Sequence, residues 1–191
     1  MMAFREESVT QAAMVLLARE KERTGSADLR MNYTKLLKLL YLAERRSLVE
    51  ATKSISGDKL IEMKKGPLLS ETYDLIKSSA NGIRTGYWCE RIKTEGYEVV
   101  AESFSTEDLE DLSDADERRL NEVYNELGHM DEEELIDWCH RNLPELTHLR
   151  ASSRAIPTMD VFFGASLPDE VALKKERDLF ELIQFERVLN I

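Results

Sequence analysis

The sequence predicts a predominantly α-helical α+β fold: a compact helical domain with a small antiparallel β-hairpin or sheet, plus a C-terminal helix. Three observations carry this reading. Apolar residues recur at helical spacing in six separate segments. Most of these segments are bracketed by residues that start or stop helices. One stretch, around Thr94-Glu95-Gly96, places aromatic and β-branched residues on both sides of a glycine-containing turn.

The elements follow in order. A first helix is expected over about Ser8 to Arg23, opened by a Ser8/Gln11 capping box and stopped by Gly25. Val9, Ala12, Ala13, Leu16 and Leu17 form its apolar side. The segment TGSADLRMN reads as a polar connection. Asn32 then caps a helix, YTKLLKLLYLAERRSLVEA, whose leucines span so wide an arc that it belongs at the centre of a core. Lys35, Lys38, Arg45 and Arg46 mark its expected wet side. Ser56-Gly57-Asp58 is a turn, and Leu60, Ile61 and Met63 form a short apolar patch. Gly66-Pro67 reads as the entrance of a third helix, since proline suits the first helical position. Asn81-Gly82 ends it.

The hairpin comes next, with Tyr87, Trp88, Ile92, Tyr97, Val99 and Val100 as its packed surface. A lone hairpin is marginal in water, so it must lie on the helices or pair with Leu60–Met63. FSTEDLEDLSD is polar and turn-rich. Ser113 and Asp116 cap the helix DADERRLNEVYNEL, with Leu120, Val123, Tyr124 and Leu127 as its stripe. Asp131 and Glu134 cap DEEELIDWCHRN, whose Leu135, Trp138 and Cys139 face inward. LTHLRASSRAIPTM reads as a loop. A last amphipathic helix runs from about Pro168 to Asn190, carrying Val171, Leu179, Leu182, Ile183, Phe185, Val188 and Leu189. The one plausible boundary is at 147–157. Residues 1–150 are therefore expected to form the helical domain with its hairpin near 86–101, and residues 151–191 a loop and helix packed on the same domain.

Composition bounds the function. The chain has 191 residues, 42% of them hydrophobic and 33% charged, which suits a soluble domain with a real core. No apolar run reaches the ~20 residues needed to span a membrane. Arg5, Glu6 and Glu7 stand where a signal peptide would need its apolar stretch, so the expected location is the cytoplasm. Cys89 and Cys139 are expected to be reduced, with a disulfide as the minor alternative. The net charge is −11, and residues 102–137, with 15 acidic and 2 basic residues, supply the whole imbalance. A solvated face is the bland explanation; a surface that steers a basic partner is the sharper one. Both argue against nucleic acid on that face.

Chemistry is sparse. There is no GxGxxG, no P-loop, no GxSxG and no HExxH. His129, His140 and His148 match no common zinc spacing. The acid runs DEEEL and EDLEDL sit in capped first turns, where carboxylates point to water rather than into a pKa-shifting pocket. No cofactor is expected.

The order of the pieces adds a family reading. KLLKLLYLAE (Lys35 to Glu44), SGDKLIEMKKGPLLSETYDLIK (Ser56 to Lys77), the hairpin with Trp88, the closing helix pair from Leu112 to Glu145 with its Gly-His break and exit at Pro144, and ASSRAIP (Ala151 to Pro157) follow one another at family spacing. Together, over about residues 30–165, they resemble the Panacea antitoxin domain, the SocA-like family of bacterial and phage toxin–antitoxin systems. The chain departs from the pattern after the exit proline, where the family often has an aromatic and this chain has Glu145 and Leu146. The resemblance implies a non-enzymatic antitoxin that neutralises a cognate toxin, encoded by the adjacent gene, through direct protein–protein binding. Alternatives are a proteolytic adaptor delivering the toxin to a protease, a metal-dependent hydrolase using His129 or His140, and a transcriptional regulator, which the missing basic patch disfavours. The candidate partner-binding residues are Lys65, Gly66, Pro67, Tyr73 and Trp88, with Glu107, Asp108, Glu110 and Asp111 from the acidic segment.

Overall fold

A computed structural model describes residues 2–82, 85–105, 109–147, 149 and 152–189. The elements run α1 (Glu6–Thr24), β1 (Leu29–Asn32), α2 (Tyr33–Ala51), β2 (Leu60–Met63), β3 (Gly66–Leu69), α3 (Ser70–Ala80), α4 (Tyr87–Arg91), β4 (Ile92–Glu95), β5 (Glu98–Ala101), α5 (Asp114–Leu127), α6 (Glu132–Asn142), β6 (Ser153–Ala155), α7 (Thr158–Gly164) and α8 (Asp169–Leu189). The fold is mainly helical α+β, as the sequence predicts, with two three-stranded antiparallel sheets in the orders β1-β5-β4 and β3-β2-β6.

Helix α2 is the hub. It packs on α1, α5, α6, α7 and both sheets, which is why its leucines run around most of its circumference. Leu36, Leu37, Leu39, Leu40, Tyr41 and Leu42 are all buried. So are Lys35 and Lys38, at 4% and 1% exposure, which corrects the expected wet side. A helix enclosed on nearly every face leaves its lysines no route to water. The Asn32 cap forms as expected, its side chain accepting from the Thr34 amide at 2.8 Å.

Several local expectations change. Helix α1 starts at Glu6 with no side-chain cap. Ser8 and Gln11 instead reach 100 or more residues along the chain: the Ser8 hydroxyl donates to the Asp111 carbonyl, and Gln11 exchanges two hydrogen bonds with Asp111. The polar connection before α2 contains strand β1, which pairs with β5 and gives the hairpin its third strand. Leu29 and Met31 point into the core, an alternation too short to register against its polar neighbours. Gly66-Pro67 is not a helix entrance. It opens strand β3, paired to β2, and the helix starts three residues after Pro67, at Ser70. Asp58 caps that helix from a distance, its carboxylate accepting from the amides of Glu71 and Thr72. Gly57, at φ +68°, has to be glycine, because a Cβ there would lie 1.8 Å from the Ala3 carbonyl oxygen.

The hairpin is β4–β5, turning at Gly96. Tyr87 and Trp88, read as strand, form the short helix α4, and Tyr97 at the turn is 74% exposed rather than packed. The loop read over LTHLRASSRAIPTM contains β6, paired to β2, and the start of α7. Both capping boxes, Ser113/Asp116 and Asp131/Glu134, are present. On α8 only Ala172 and Leu179 are buried; Val171, Phe180, Leu182, Phe185, Val188 and Leu189 face solvent, because among the described residues no element covers the helix's outer side.

Buried carboxylates tie these pieces together. Glu44 accepts from the Ser54 hydroxyl, from the Ser56 hydroxyl and amide, and from the Ile55 amide. Glu62, fully buried, accepts from Thr147, Leu149 and Arg154. Glu145 accepts from Tyr41 and Arg45. Each joins segments distant in sequence, and burial without such partners would be costly.

Candidate functional site

A groove of about 510 Å³ opens where the start of α2, the β2–β3 turn, α3, the β4–β5 turn and the first turn of α6 converge. Antiparallel pairing of β2 with β3 lays the Lys64-Lys65 turn beside it. Its aromatic wall comes from three elements. Tyr33 stacks on Tyr97 with ring centroids 6.1 Å apart. Lys77 Nζ sits 4.7 Å from the Tyr33 ring and 5.4 Å from that of Tyr73, and donates to the Tyr33 hydroxyl at 3.3 Å. A cation held over two rings stiffens the wall.

Lys38 forms the floor. It is 1% exposed, and its Nζ donates to the Pro67 carbonyl at 2.8 Å. Among the described residues that is its one acceptor, although an ammonium carries three donors. Gly66 lies beside it at φ +87°, a backbone conformation that favours glycine, although a Cβ there would make only ordinary contacts, with Lys38 Cε at 3.6 Å and Cys139 Cβ at 3.8 Å. Burial, opposed by Cys139 and assisted by the nearby Lys65 charge, brings the Lys38 pKa down from 10.5 to about 8. Burial likewise pushes the Cys139 thiol up to about 12, so it is a protonated neighbour and not a nucleophile. Across the groove, Glu132 accepts from Asn32 Nδ2 at 3.0 Å, and Glu133 lies 3.9 Å from Lys65.

The groove gathers three of the candidate residues: Lys65, Gly66 and Tyr73 all line it. Pro67 is buried beside it and supplies the carbonyl that Lys38 holds. Trp88 lies elsewhere and is fully buried, so it is a core anchor. Its indole N–H has no acceptor among the described residues. Glu107 and Asp108 lie outside the described residues. Glu110 and Asp111 are exposed but do not line the groove, and Asp111 is held against α1 by Ser8 and Gln11. Four further acids of the segment are likewise engaged within the chain: Asp116 with Lys53, Glu122 and Glu126 with Arg46, and Glu102 with Lys93.

Sequence reasoning missed Lys38, Tyr33 and Lys77. No local signal marked the first, because Lys35 and Lys38 share one helix face and read together as its wet side until the packing around α2 is seen. Among the described residues no cluster of three or more His, Cys, Asp or Glu could hold a metal ion, and no helix is long and apolar enough to cross a membrane. His148 lies outside the described residues.

The family model described as "Antitoxin SocA-like, Panacea domain" matches residues 36–144, more than half of the chain. The chain belongs to this family. No curated protein and no solved structure gives a significant match. The Panacea match runs from the end of the first turn of α2, at Leu36, to the exit at Pro144. It therefore contains Lys38, the β2–β3 turn, Tyr73, Tyr97 and the α6 first turn, which make up most of the groove. Family membership points to an antitoxin-like, non-catalytic role with a toxin as partner.

Proposed function

We propose that this chain neutralises a cognate toxin, encoded by the adjacent gene, by binding it directly, and that the toxin docks in the groove over Lys38. The observation that carries this reading is the coincidence of the family match with the groove: the Panacea segment contributes its buried lysine, two of its three tyrosines and both rim glutamates. A groove with a rigid aromatic wall and polar groups of both signs suits recognition of a protein segment. The groove is preferred here over the acidic segment as the principal contact, since Glu102, Asp116, Glu122 and Glu126 of that segment already hold cations of this chain.

The test is co-expression. The neighbouring reading frame is expressed alone and then with this chain, and growth is followed. Arrest relieved by co-expression, together with a complex that survives size-exclusion chromatography, is the expected result. A neighbour that remains toxic beside soluble chain, or relief without any complex, would overturn direct neutralisation. Toxin half-life in the same cells checks the adaptor reading: direct blocking leaves it unchanged, and delivery to a protease shortens it.

A further inference from the structure

We propose that the groove captures an acidic side chain of the partner, an internal Asp or Glu whose carboxylate accepts from Lys38 Nζ on the groove floor. This rests on the reading that a protein segment docks there.

Three observations support it. First, Lys38 is the one fully buried cation on the groove's lining among the described residues, and the Pro67 carbonyl uses only one of its three donors. A carboxylate would take the remaining donors in a charge-assisted contact, the strong kind. Second, the groove cannot extend a β-ladder at this point. Strand β3 is at the edge of its sheet, but Pro67 has no N–H and its carbonyl is already occupied by Lys38. Recognition must therefore run through side chains. Third, the depth of Lys38 selects the source of the anion. A partner's main chain lying on the Tyr33–Tyr97 rim reaches the floor only through a side chain. A C-terminal carboxylate would have to carry its own backbone N–H groups into the groove, where they would be left unpaired. A polyphosphate would meet Glu132 and Glu133 on the opposite side, whereas a single carboxylate tolerates them at a distance.

Binding would also favour the charged form of Lys38 over a wider pH range, since its pKa is held near 8 mainly by burial. The other ionisable groups around it are Cys139 on α6, Lys64 in the turn, Tyr33, Tyr73 and Tyr97 on the wall, and Glu132 and Glu133 on the rim. An arriving carboxylate should raise the pH at which Lys38 titrates.

The test uses the full chain with lysines carrying ¹³C at the ε position, the Lys38 signal being assigned by its loss in Lys38→Met. Four probes are titrated: a pool of N-acetylated, C-amidated heptapeptides with a central Glu, the same pool with Gln, the Gln pool with a free C-terminus, and inorganic phosphate. The expected result is that the Glu pool alone moves the Lys38 signal and its titration to higher pH, and binds at least tenfold more weakly to Lys38→Met and Lys38→Gln. Equal binding of the Glu and Gln pools, preference for the free C-terminus, preference for phosphate, or no response from Lys38 would each overturn the proposal. The growth assay separates the two readings. If wild type and both Lys38 variants relieve arrest equally, neutralisation stands and the Lys38 anchor falls. If the Glu pool binds but wild type does not relieve arrest, the anchor stands and neutralisation falls.

Discussion

Lys35 and Lys38 lie less than one turn apart on α2, and both are almost completely buried, yet they have opposite surroundings. Lys35 Nζ donates to both oxygens of Glu20, at 3.0 and 2.9 Å, and to the Gly128 carbonyl at 2.7 Å, so all three donors are engaged. Glu20 in turn accepts from Tyr124 and Arg23. Burial alone would raise the Glu20 carboxyl; hydrogen bonds from Arg23, Tyr124 and Lys35 more than reverse this, and its pKa ends below 4.5. Lys38 has one neutral acceptor, and its pKa falls. A buried charge with every donor engaged locks α1, α2 and the end of α5 together. A buried charge with donors to spare is a cost to the fold, and such costs collect where a ligand is meant to arrive.

The largest expected effect breaks this contrast from the Lys35 side. Lys35→Met leaves Glu20 without its buried cation, and should cost about 3 kcal/mol, toward the low end for a broken buried pair because Arg23 and Tyr124 remain. Lys35→Met combined with Glu20→Gln should recover part of that loss, since no buried charge is then stranded. Lys38→Met should cost under about 1 kcal/mol, because the lost hydrogen bond to Pro67 is offset by relief of a desolvated ammonium. Urea unfolding of the three variants at pH 7 decides it. Equal losses for Lys35→Met and Lys38→Met would mean that the two lysines do the same structural work.

The next effect is smaller and depends on pH. The folded chain releases the Lys38 proton near pH 8, whereas the unfolded chain holds it to about 10.5. Between those values the unfolded state binds more protons, so this group makes stability rise with pH, by up to roughly 3 kcal/mol. Cys139 works against it: its folded thiol keeps a proton to about pH 12 that the unfolded chain yields near 9, so its contribution falls as pH rises. Subtracting the Lys38→Met profile from the wild-type profile isolates the Lys38 part. A difference that stays flat from pH 8 to 10 would show that Lys38 is solvated after all, and the contrast with Lys35 would lose its basis.

The same pair of residues shows what was legible in the sequence. The six longer helices, the capping boxes of α5 and α6 and the Asn32 cap follow from local spacing, which is what a sequence displays, whereas the Ser8/Gln11 box does not form and the short helices α4 and α7 were read as strand and loop. Strand β1 was hidden because four residues alternating between buried and half-buried, LRMN, look polar until β5 is seen beside them. Gly66-Pro67 suits a helix start as well as an edge strand, and the choice is made by β2, which pairs with it. The burial of Glu20, Glu44, Glu62 and Glu145 was invisible for the same reason: each partner lies between 3 and 104 residues away, and most lie beyond 10. Residues 64–77, quoted for the family resemblance, do lie along the groove proposed as the docking site, but the lysine beneath them belongs to a helix read as scaffold.

The smallest effect sharpens the contrast at the residue where the two regions meet. Asn32 caps α2 through Oδ1 and holds Glu132 through Nδ2, so it serves the fold and the groove with opposite ends of one amide. Asn32→Ala should cost about 1 kcal/mol by removing the cap, and Asn32→Ser only a few tenths, because a serine hydroxyl can accept from the same amide. Neither variant can hold Glu132. If the groove takes an acidic side chain, a released Glu132 adds a mobile negative charge at its mouth, and both variants should weaken capture of the Glu-bearing peptides severalfold despite their different stabilities. Thermal melts and peptide titrations on the same two proteins separate these contributions. Capture that tracks stability, full in Asn32→Ser and reduced in Asn32→Ala, would assign Asn32 to the helix alone and leave Glu132 without influence on the site.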